Sequence, residues 1–379
     1  MTSSTALVAI SKKGAELALA LAGAKPGLTG EQTVFLERRW HIDDQGYQAF
    51  DLPLRPVIQQ LFYEYHRLVL FMPLGAAVRL LAPCIQDKHE DPAVVCVDDA
   101  GRFAVSLLSG HLGGADALAQ EVAAILRATP VITSASHVTG TLAVDLLGQE
   151  FGWVIDAPAL TVTRASAAVV NGEPVGVYQQ AGEPNWWPED RPLPKNIIRC
   201  SDLAELAAAP GDAALIISDY LNVVDREGQP LEQVLKKQHL VLYRPRSLVI
   251  GMGCRRGVPL EELEELLLDT LRKHNLAPAS VSCIATAGLK QDEIGLIELA
   301  AKYDVPLTCY SGEELNQVFE SSGGAVTPSA TAHRLLGIWG VSEPAALLAS
   351  SSQQLLVSRE KTARATIAIA RRNYESRQV

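Results

Sequence analysis

The chain has 379 residues, a length typical of two or three domains. Hydrophobic residues make up 48% of it and charged residues 20%, a composition that argues against a disordered chain, a coiled coil or a collagen-like fibre. The formal net charge of -10 argues against a bulk electrostatic interaction with nucleic acid or an anionic membrane surface. An anionic ligand would therefore need a few local cations or oriented backbone N–H groups.

The sequence offers no signal-peptide pattern at residues 1–10 and no apolar run long enough to span a membrane. Its six cysteines form no C-x-x-C pair and no zinc-like spacing with histidine. We therefore predict a cytoplasmic protein with buried free thiols and no metal site of its own.

The first 149 residues predict an α/β domain. Strands are expected at 5–10, 67–72, 93–98, 103–108 and 131–133, the third and fourth joined as a β-hairpin by residues 99–102. Helices are expected from about 14 to 21, over 53–65, from about 75 to 83, after residue 114 and over 141–151. This alternation is typical of a sheet covered by helices.

The rest of the chain predicts two further domains. Residues 150–245 show short β-type runs at 154–180, a Pro- and Trp-rich loop at 182–194 and strands at 213–218 and 240–243, which favours a smaller α+β middle domain. Residues 246–379 again alternate strands (247–250, 281–285, 305–310, 354–357, 364–370) with helices (259–275, 291–303, 312–319, 342–349). The predicted fold class is α/β, with two largely parallel α/β domains flanking the middle one.

Two glycine-rich turns are the main candidates for ligand binding, because ligands of open α/β sheets bind beyond the carboxyl ends of strands. The first is residues 109–116, where glycines expose backbone N–H groups before a helix and His111 titrates near neutral pH. The second is residues 251–257, where Arg255 and Arg256 are suited to binding carboxylates. Tight turns with no ligand would show the same patterns.

Two charged segments could supply acid–base groups. Asp87 and Lys88 lie in the loop 86–91 and would matter if that loop lies beside the first glycine turn. Lys290 follows the strand 281–285, again in a ligand-facing position, although a surface lysine at a helix start explains it equally well.

Taken together these segments resemble one family. The runs 87–101 and 109–115, the turn 251–257, the segment 289–296 and the run 340–347 are similar, in the same order, to the cobalamin biosynthesis protein G family. The resemblance implies a cobalt-precorrin-5A hydrolase, in which water opens the δ-lactone of a cobalt-bearing, ring-contracted tetrapyrrole and acetaldehyde is released to give cobalt-precorrin-5B. It implies no cofactor beyond the cobalt in the substrate, and as partners the substrate and, potentially, neighbouring enzymes of the pathway.

Residue roles follow as hypotheses. The catalytic candidates are His111, Asp87, Lys88 and Lys290. The substrate-binding candidates are Ser109, Gly110, Gly113, Gly114, Gly253, Arg255, Arg256, Glu293 and Glu343. The chain departs from the family pattern at His137, where an aspartate is expected.

Two other functions stay open on the sequence alone. A non-catalytic tetrapyrrole carrier would show the same anion-binding turns, and only release of acetaldehyde separates the two. A methyltransferase is suggested only by Gly251-x-Gly253. The absence of an acidic ribose-binding residue after a second strand argues against it.

Overall fold

The structure is a computed structural model that describes residues 4–40, 47–87, 90–110, 113–133, 141–188, 191–225, 227–321, 324, 326–330, 333–334 and 337–374. It divides into two compact units, Met1–Thr141 and Leu142–Val379. One β-sheet in the first unit and two in the second, all mainly parallel, confirm the predicted α/β class, and this holds also for the middle sheet, for which an α+β arrangement was predicted. Each sheet is built from one of the predicted segments, and the domain limits themselves stay a prediction. No helix in the described ranges is long and apolar enough to cross a membrane.

The sheet of the first unit has seven strands in the order β3-β2-β1-β4-β5-β6-β7. They are β1 (Ser4–Ala9), β2 (Glu31–Glu37), β3 (Gln48–Phe50), β4 (Arg67–Phe71), β5 (Ala93–Val97), β6 (Phe103–Leu108) and β7 (Thr129–Val131). Strands β1 to β5 are parallel, whereas β6 turns back on β5 as the predicted hairpin and β7 runs parallel to β6. Strands β2 and β3 were not predicted.

Helices cover both faces of this sheet. They are α1 (Lys12–Ala22), α2 (Leu54–Glu64), α3 (Leu74–Leu81) and α4 (Ala115–Leu126). Alternate residues of β1 enter two cores, Leu7 and Ala9 on one face and Ala6 and Val8 on the other. Burial on both faces explains why the central strands β1, β4 and β5 are mostly apolar.

The middle sheet has the order β10-β9-β11-β12-β8, with only β8 antiparallel to its neighbour. Its strands are β8 (Val154–Asp156), β9 (Val175–Gln179), β10 (Ile197–Cys200), β11 (Ala213–Ile217) and β12 (His239–Arg244). Its helices are α5 (Ala159–Val170), α6 (Leu203–Ala208) and α7 (Leu231–Val234).

Two predictions about this stretch are wrong. Residues 141–151 form turns and a short 3-10 helix, Gln149–Phe151, because Gly148 at φ 75° breaks the helix and packs its Cα against Trp153. Helix α5 replaces predicted β-type runs, because its alanine-rich face, with Ala165 and Ala168 buried, packs on the sheet. Tertiary burial outweighs the β-branched residues there.

The C-terminal sheet has the order β15-β14-β13-β17-β16. Its strands are β13 (Leu248–Cys254), β14 (Val281–Ala287), β15 (Leu307–Tyr310), β16 (Leu355–Lys361) and β17 (Ala365–Arg371). Strands β13 to β15 are parallel, and β17 is antiparallel to both β13 and β16. The carboxyl ends of β13 and β14 therefore share an edge with the hairpin between β16 and β17.

Helices α8 (Leu260–Lys273), α9 (Ile294–Lys302), α10 (Gly312–Ser321) and α11 (Ser342–Ser350) accompany this sheet. Helix α8 carries Glu261 and Glu262 in its first turn and Arg272 and Lys273 in its last. Acids near the positive end of the helix dipole and cations near its negative end stabilise it.

A buried ion pair joins the middle and C-terminal sheets. Asp219, which follows β11, is fully buried and accepts two hydrogen bonds from Arg371 at the end of β17, each of 2.8 Å. Ser247 donates a third, of 2.6 Å, to the same carboxylate. These hydrogen bonds connect the segment after β11 to the end of β17 and to Ser247, the residue before β13. Strand β13 leads to the second glycine turn.

Candidate functional site

The first glycine turn has a backbone that demands glycine. Ser109 has φ 55° and Gly114 φ 83°, and the amide of Ala115 closes the turn by donating to the Ser109 carbonyl at 3.1 Å. A Cβ on Gly113 would lie 2.4 Å from the Ser109 Cβ. The turn therefore brings the backbone at Gly113 directly against Ser109, ahead of the 12-residue helix α4.

A buried carboxylate supports this turn. Asp116, in the first turn of α4, accepts a 2.6 Å hydrogen bond from the Ser106 hydroxyl, and its amide donates to the Gly110 carbonyl at 3.0 Å. A Cβ on Gly110 would lie 2.7 Å from an Asp116 oxygen. Gly110 is thus required because the carboxylate lies against its Cα.

The structure brings the loop 86–91 to the glycine turn. Ser109 donates its hydroxyl to the Asp91 carbonyl at 2.9 Å, and the buried Asp91 carboxylate accepts from the Gln86 amide at 3.1 and 3.2 Å. The backbone carbonyl of Asp87, whose side chain is exposed, accepts a hydrogen bond of 2.8 Å from the Asp91 amide. The loop that carries Asp87 therefore contacts the first glycine turn through Asp91. Lys88, His111 and His137 lie outside the described residues.

A cavity of about 490 Å³ opens beside this turn. Gly113, Tyr65 and Glu90 are among its lining residues, as is His66, whose Nδ1 lies 3.0 Å from the Ser4 hydroxyl. Sequence reasoning missed His66, and nothing in its local pattern distinguishes it from a surface histidine. The cavity adds acidic, aromatic and imidazole side chains to the turn.

The edge of the sheet on which this turn lies differs from the expectation. It follows β6, but β6 is antiparallel to β5, so that Leu108 pairs with Val94 near the start of β5. The turn and its cavity therefore lie where β4 and β5 begin. The carboxyl ends of the parallel strands point to the opposite edge.

The second glycine turn does lie at carboxyl ends of strands. A cavity of about 280 Å³ is formed there by the ends of β13 and β14 and by the β16–β17 hairpin. Three predicted residues line it, Gly253, Arg255 and Lys290. Three further cations line it that the sequence reasoning missed, Arg359, Lys361 and Arg364. The available signal was their closeness to one another in the sequence, at the connection between the predicted strands 354–357 and 364–370.

The glycines of this second turn allow tight packing of a helix. A Cβ on Gly251 would lie 1.8 Å from the Ser342 carbonyl oxygen, and one on Gly253 would lie 2.9 Å from the Thr366 hydroxyl. Helix α11 thus begins directly on the backbone of β13. Cys254, the next residue of β13, lines the cavity, and burial raises the pKa of its thiol.

Arg256 and Glu293 lie beside the cavity and are not among its lining residues. Exposed Arg256 pairs with Asp292 at 3.0 Å, and this hydrogen bond lowers the pKa of Asp292. Glu293 is buried, accepts the Gly257 amide at 2.5 Å and lies 3.4 Å from the Lys290 ammonium. Its carboxylate therefore holds the turn and orients Lys290.

Glu343 is also internal. It is 1% exposed and accepts from the Thr327 amide at 2.8 Å, the Thr327 hydroxyl at 3.3 Å and the Arg359 amide at 3.0 Å. One carboxylate thus joins α11, the segment at residue 327 and strand β16. These hydrogen bonds hold the backbone of strand β16 in place at Arg359, which lines the cavity.

Comparison with known proteins gives consistent matches along the chain. Three family models match consecutive stretches: Cobalamin synthesis G N-terminal over residues 56–137, Cobalamin biosynthesis central region over 142–243 and Cobalamin synthesis G C-terminus over 248–370. A protein from Priestia megaterium named cobalt-precorrin-5A hydrolase is 40% identical over 368 residues, which are 96% of this chain and 94% of that protein.

Two further matches extend this similarity. A cobalt-precorrin-5A hydrolase from Salmonella typhimurium is 32% identical over 352 residues, 93% of each chain. The crystal structure of a cobalamin biosynthesis protein G homolog from Sulfolobus solfataricus covers 98% of this chain and 97% of its own, at 21% identity and a TM-score of 0.37. The resemblance predicted from the motifs is confirmed by the sequence matches. The chain belongs to the cobalamin synthesis G family of hydrolases.

Proposed function

We propose that the chain is a cobalt-precorrin-5A hydrolase. Its 40% identity to a protein of that name, over nearly the full length of both, is the observation that carries the proposal. Water adds to the δ-lactone and opens it to a carboxylate and an alcohol. The alcohol then loses its proton, the neighbouring C–C bond breaks, its electron pair moves into the macrocycle, and acetaldehyde leaves to give cobalt-precorrin-5B.

The first glycine turn suits the lactone-opening step. Water needs a general base, and the tetrahedral intermediate needs hydrogen-bond donors at its oxyanion. The amides of Ala115 and Asp116 already donate to carbonyls of the turn, so we assign the oxyanion to the amides of Gly113 and Gly114. His111, between Gly110 and Gly113 in the sequence, is the proposed base.

The C–C cleavage step needs a group that takes the proton of the alcohol. Asp87 is supported by its backbone hydrogen bond with Asp91, whose carbonyl accepts the Ser109 hydroxyl. Lys88 follows it in the sequence, whereas Lys290 already lies beside its own buried partner Glu293. We therefore rank Asp87 and Lys88 before Lys290 for this proton transfer.

The decisive assay is anaerobic incubation of the protein with cobalt-precorrin-5A. Acetaldehyde is measured by its enzymatic reduction, and the mass of the macrocycle is measured in parallel. Release of acetaldehyde with the matching loss of mass is expected. Binding of the macrocycle without any aldehyde would instead identify a carrier protein.

Variants then test the residue roles. His111→Ala should abolish acetaldehyde release with little change in substrate affinity, because a general base acts in the transition state. His239→Ala, at the start of β12, serves as the matched control. Unchanged turnover by His111→Ala would remove His111 from the mechanism.

We further propose that the protein needs no cofactor of its own and that cobalt enters as part of the substrate. Turnover should therefore survive prior treatment of the protein with EDTA and gel filtration. Loss of activity that added divalent metal restores would contradict this assignment.

A further inference from the structure

The cavity of the C-terminal sheet concentrates positive charge in an acidic protein. Its described lining residues include five cations and no aspartate or glutamate, although the chain carries a net charge of -10. Like charges around one small cavity repel one another unless an anion lies between them. The arrangement therefore points to a bound anion.

Two of the cations are already committed to other groups. Arg364 pairs with Glu262 at 3.0 Å and donates to the Gly257 carbonyl at 2.8 Å. Lys290 is nearly buried, with its ammonium 3.4 Å from Glu293. These two side chains line the cavity and contribute a positive field.

The other three cations keep most of their donors. Arg359 uses one nitrogen, at 3.1 Å, on the Thr327 carbonyl. For the side chains of Arg255 and Lys361, no protein partner is present among the residues that the structure describes. Arginine offers a planar pair of N–H groups that matches a carboxylate, and lysine offers a compact charge. These three side chains are therefore the ones able to hold an anion.

Strand alternation explains how the hairpin sorts its charges. Arg359 and Lys361 line the cavity, whereas Glu360 between them binds Lys273 at 2.6 Å and His274 at 2.8 Å at the end of α8. These hydrogen bonds, the one from His274 first, lower the pKa of Glu360, which keeps it charged. Glu360 is thus held away from the cavity, whereas Arg359 and Lys361 line it.

The size of the cavity limits what can enter. Its volume of about 280 Å³ is below the roughly 300–1,000 Å³ of pockets that enclose a drug-sized ligand. A tetrapyrrole macrocycle is larger than such ligands, whereas an acetate or propionate arm is much smaller. Leu289, which lines the cavity and is 58% exposed, offers an apolar surface to a ring outside.

We propose that this cavity is a carboxylate subsite, in which Arg255, Arg359 and Lys361 bind one acetate or propionate arm while the macrocycle stays outside it. The identity of the macrocycle rests on the proposed function, but the preference for a carboxylate rests on the cavity alone. The subsite would orient the substrate without touching the bonds that react.

A binding titration tests the subsite without turnover. Uroporphyrin I, which carries an acetate and a propionate on every pyrrole ring, is titrated into the protein and followed by its fluorescence. The double variant Arg255→Gln, Lys361→Gln should bind it at least about tenfold more weakly, which corresponds to ~1.4 kcal/mol. The difference should shrink as salt is added, because screening weakens charge interactions.

Matched variants separate this effect from a change of fold. Arg272→Gln removes an equally exposed cation, paired with Asp269 on α8, and should leave uroporphyrin affinity unchanged. Lys361→Arg keeps the charge and should retain binding. No uroporphyrin binding by the unmodified protein, or equal affinity for the double variant, would overturn the subsite.

The acetaldehyde assay keeps the two proposals apart. If the unmodified protein releases no acetaldehyde but the double variant binds uroporphyrin weakly, the proposed function fails and the subsite stands. If turnover proceeds and the double variant shows an unchanged KM, the subsite fails and the proposed function stands.

Discussion

Replacing Glu343 by glutamine tests how the C-terminal cavity is held together. The carboxylate accepts the amides of Thr327 and Arg359 and the Thr327 hydroxyl. Glutamine has the same length but only one acceptor oxygen, so its NH₂ group must face one of these N–H donors. One buried backbone N–H then loses its acceptor.

The expected loss of stability is about 2–3 kcal/mol. A hydrogen bond to a charged acceptor is worth roughly 1.5–3 kcal/mol, and a buried donor left without an acceptor costs about 1–3 kcal/mol. Removing a buried charge also recovers part of its desolvation energy, which keeps the expected total loss of stability near the lower end of these ranges. At roughly 2–4 °C per kcal/mol for a unit of this size, the melting temperature should fall by roughly 5–10 °C.

Thermal unfolding of a matched pair of variants measures this effect. Glu314→Gln is the control, because exposed Glu314 likewise accepts the amide and hydroxyl of one residue, Ser311, each at 2.7 Å. Water replaces the lost acceptor there, so a change of at most about 1 kcal/mol is expected. Glu343→Gln should also raise the KM for the proposed substrate more than it lowers kcat, since it loosens the backbone of Arg359. Equal melting temperatures for the two variants, or an unchanged KM, would refute this reasoning.

Other predictions address the two units separately. Asp219→Ala should lower the free energy of unfolding in urea by about 3 kcal/mol, because it leaves Arg371 without its carboxylate, and an unchanged unfolding midpoint would contradict this. Gly113→Ala should abolish acetaldehyde release, because the added Cβ would lie 2.4 Å from the Ser109 Cβ. Gly114→Ala places its Cβ with nothing within 4 Å and should cost only the ~1 kcal/mol of stability that a positive φ imposes on alanine. Similar activities of the two variants would remove the turn from catalysis. Burial raises the pKa of the Cys96 thiol to about 11 from an ordinary 9.0. The unfolded thiol ionises first, so stability should fall as pH rises from 9 to 11, and Cys96→Ala should remove about 2 kcal/mol of that fall, which urea titrations at the two pH values would detect.

Much of the fold could be predicted because its strands are buried on both faces. The runs that became β1, β4, β5, β13 and β14 are mostly apolar, and this pattern predicts a covered parallel sheet. The short strand Gln48–Phe50 and the helix Ala159–Val170 were missed because their local sequences do not show which neighbours bury them.

The candidate site divides in the same way. The sequence by itself determined the glycine turns, because a positive φ or a close backbone contact excludes side chains at those positions, and it determined the family through the order of its motifs. Only the tertiary structure decided that β5 pairs parallel to β4, so that the predicted hairpin of β5 and β6 places the first turn at the starting edge of parallel strands. It also decided that Glu293 and Glu343 act as internal acceptors and that cations from distant parts of the chain meet in one cavity. Such meetings depend on strand pairing between residues far apart in sequence, which local patterns do not encode.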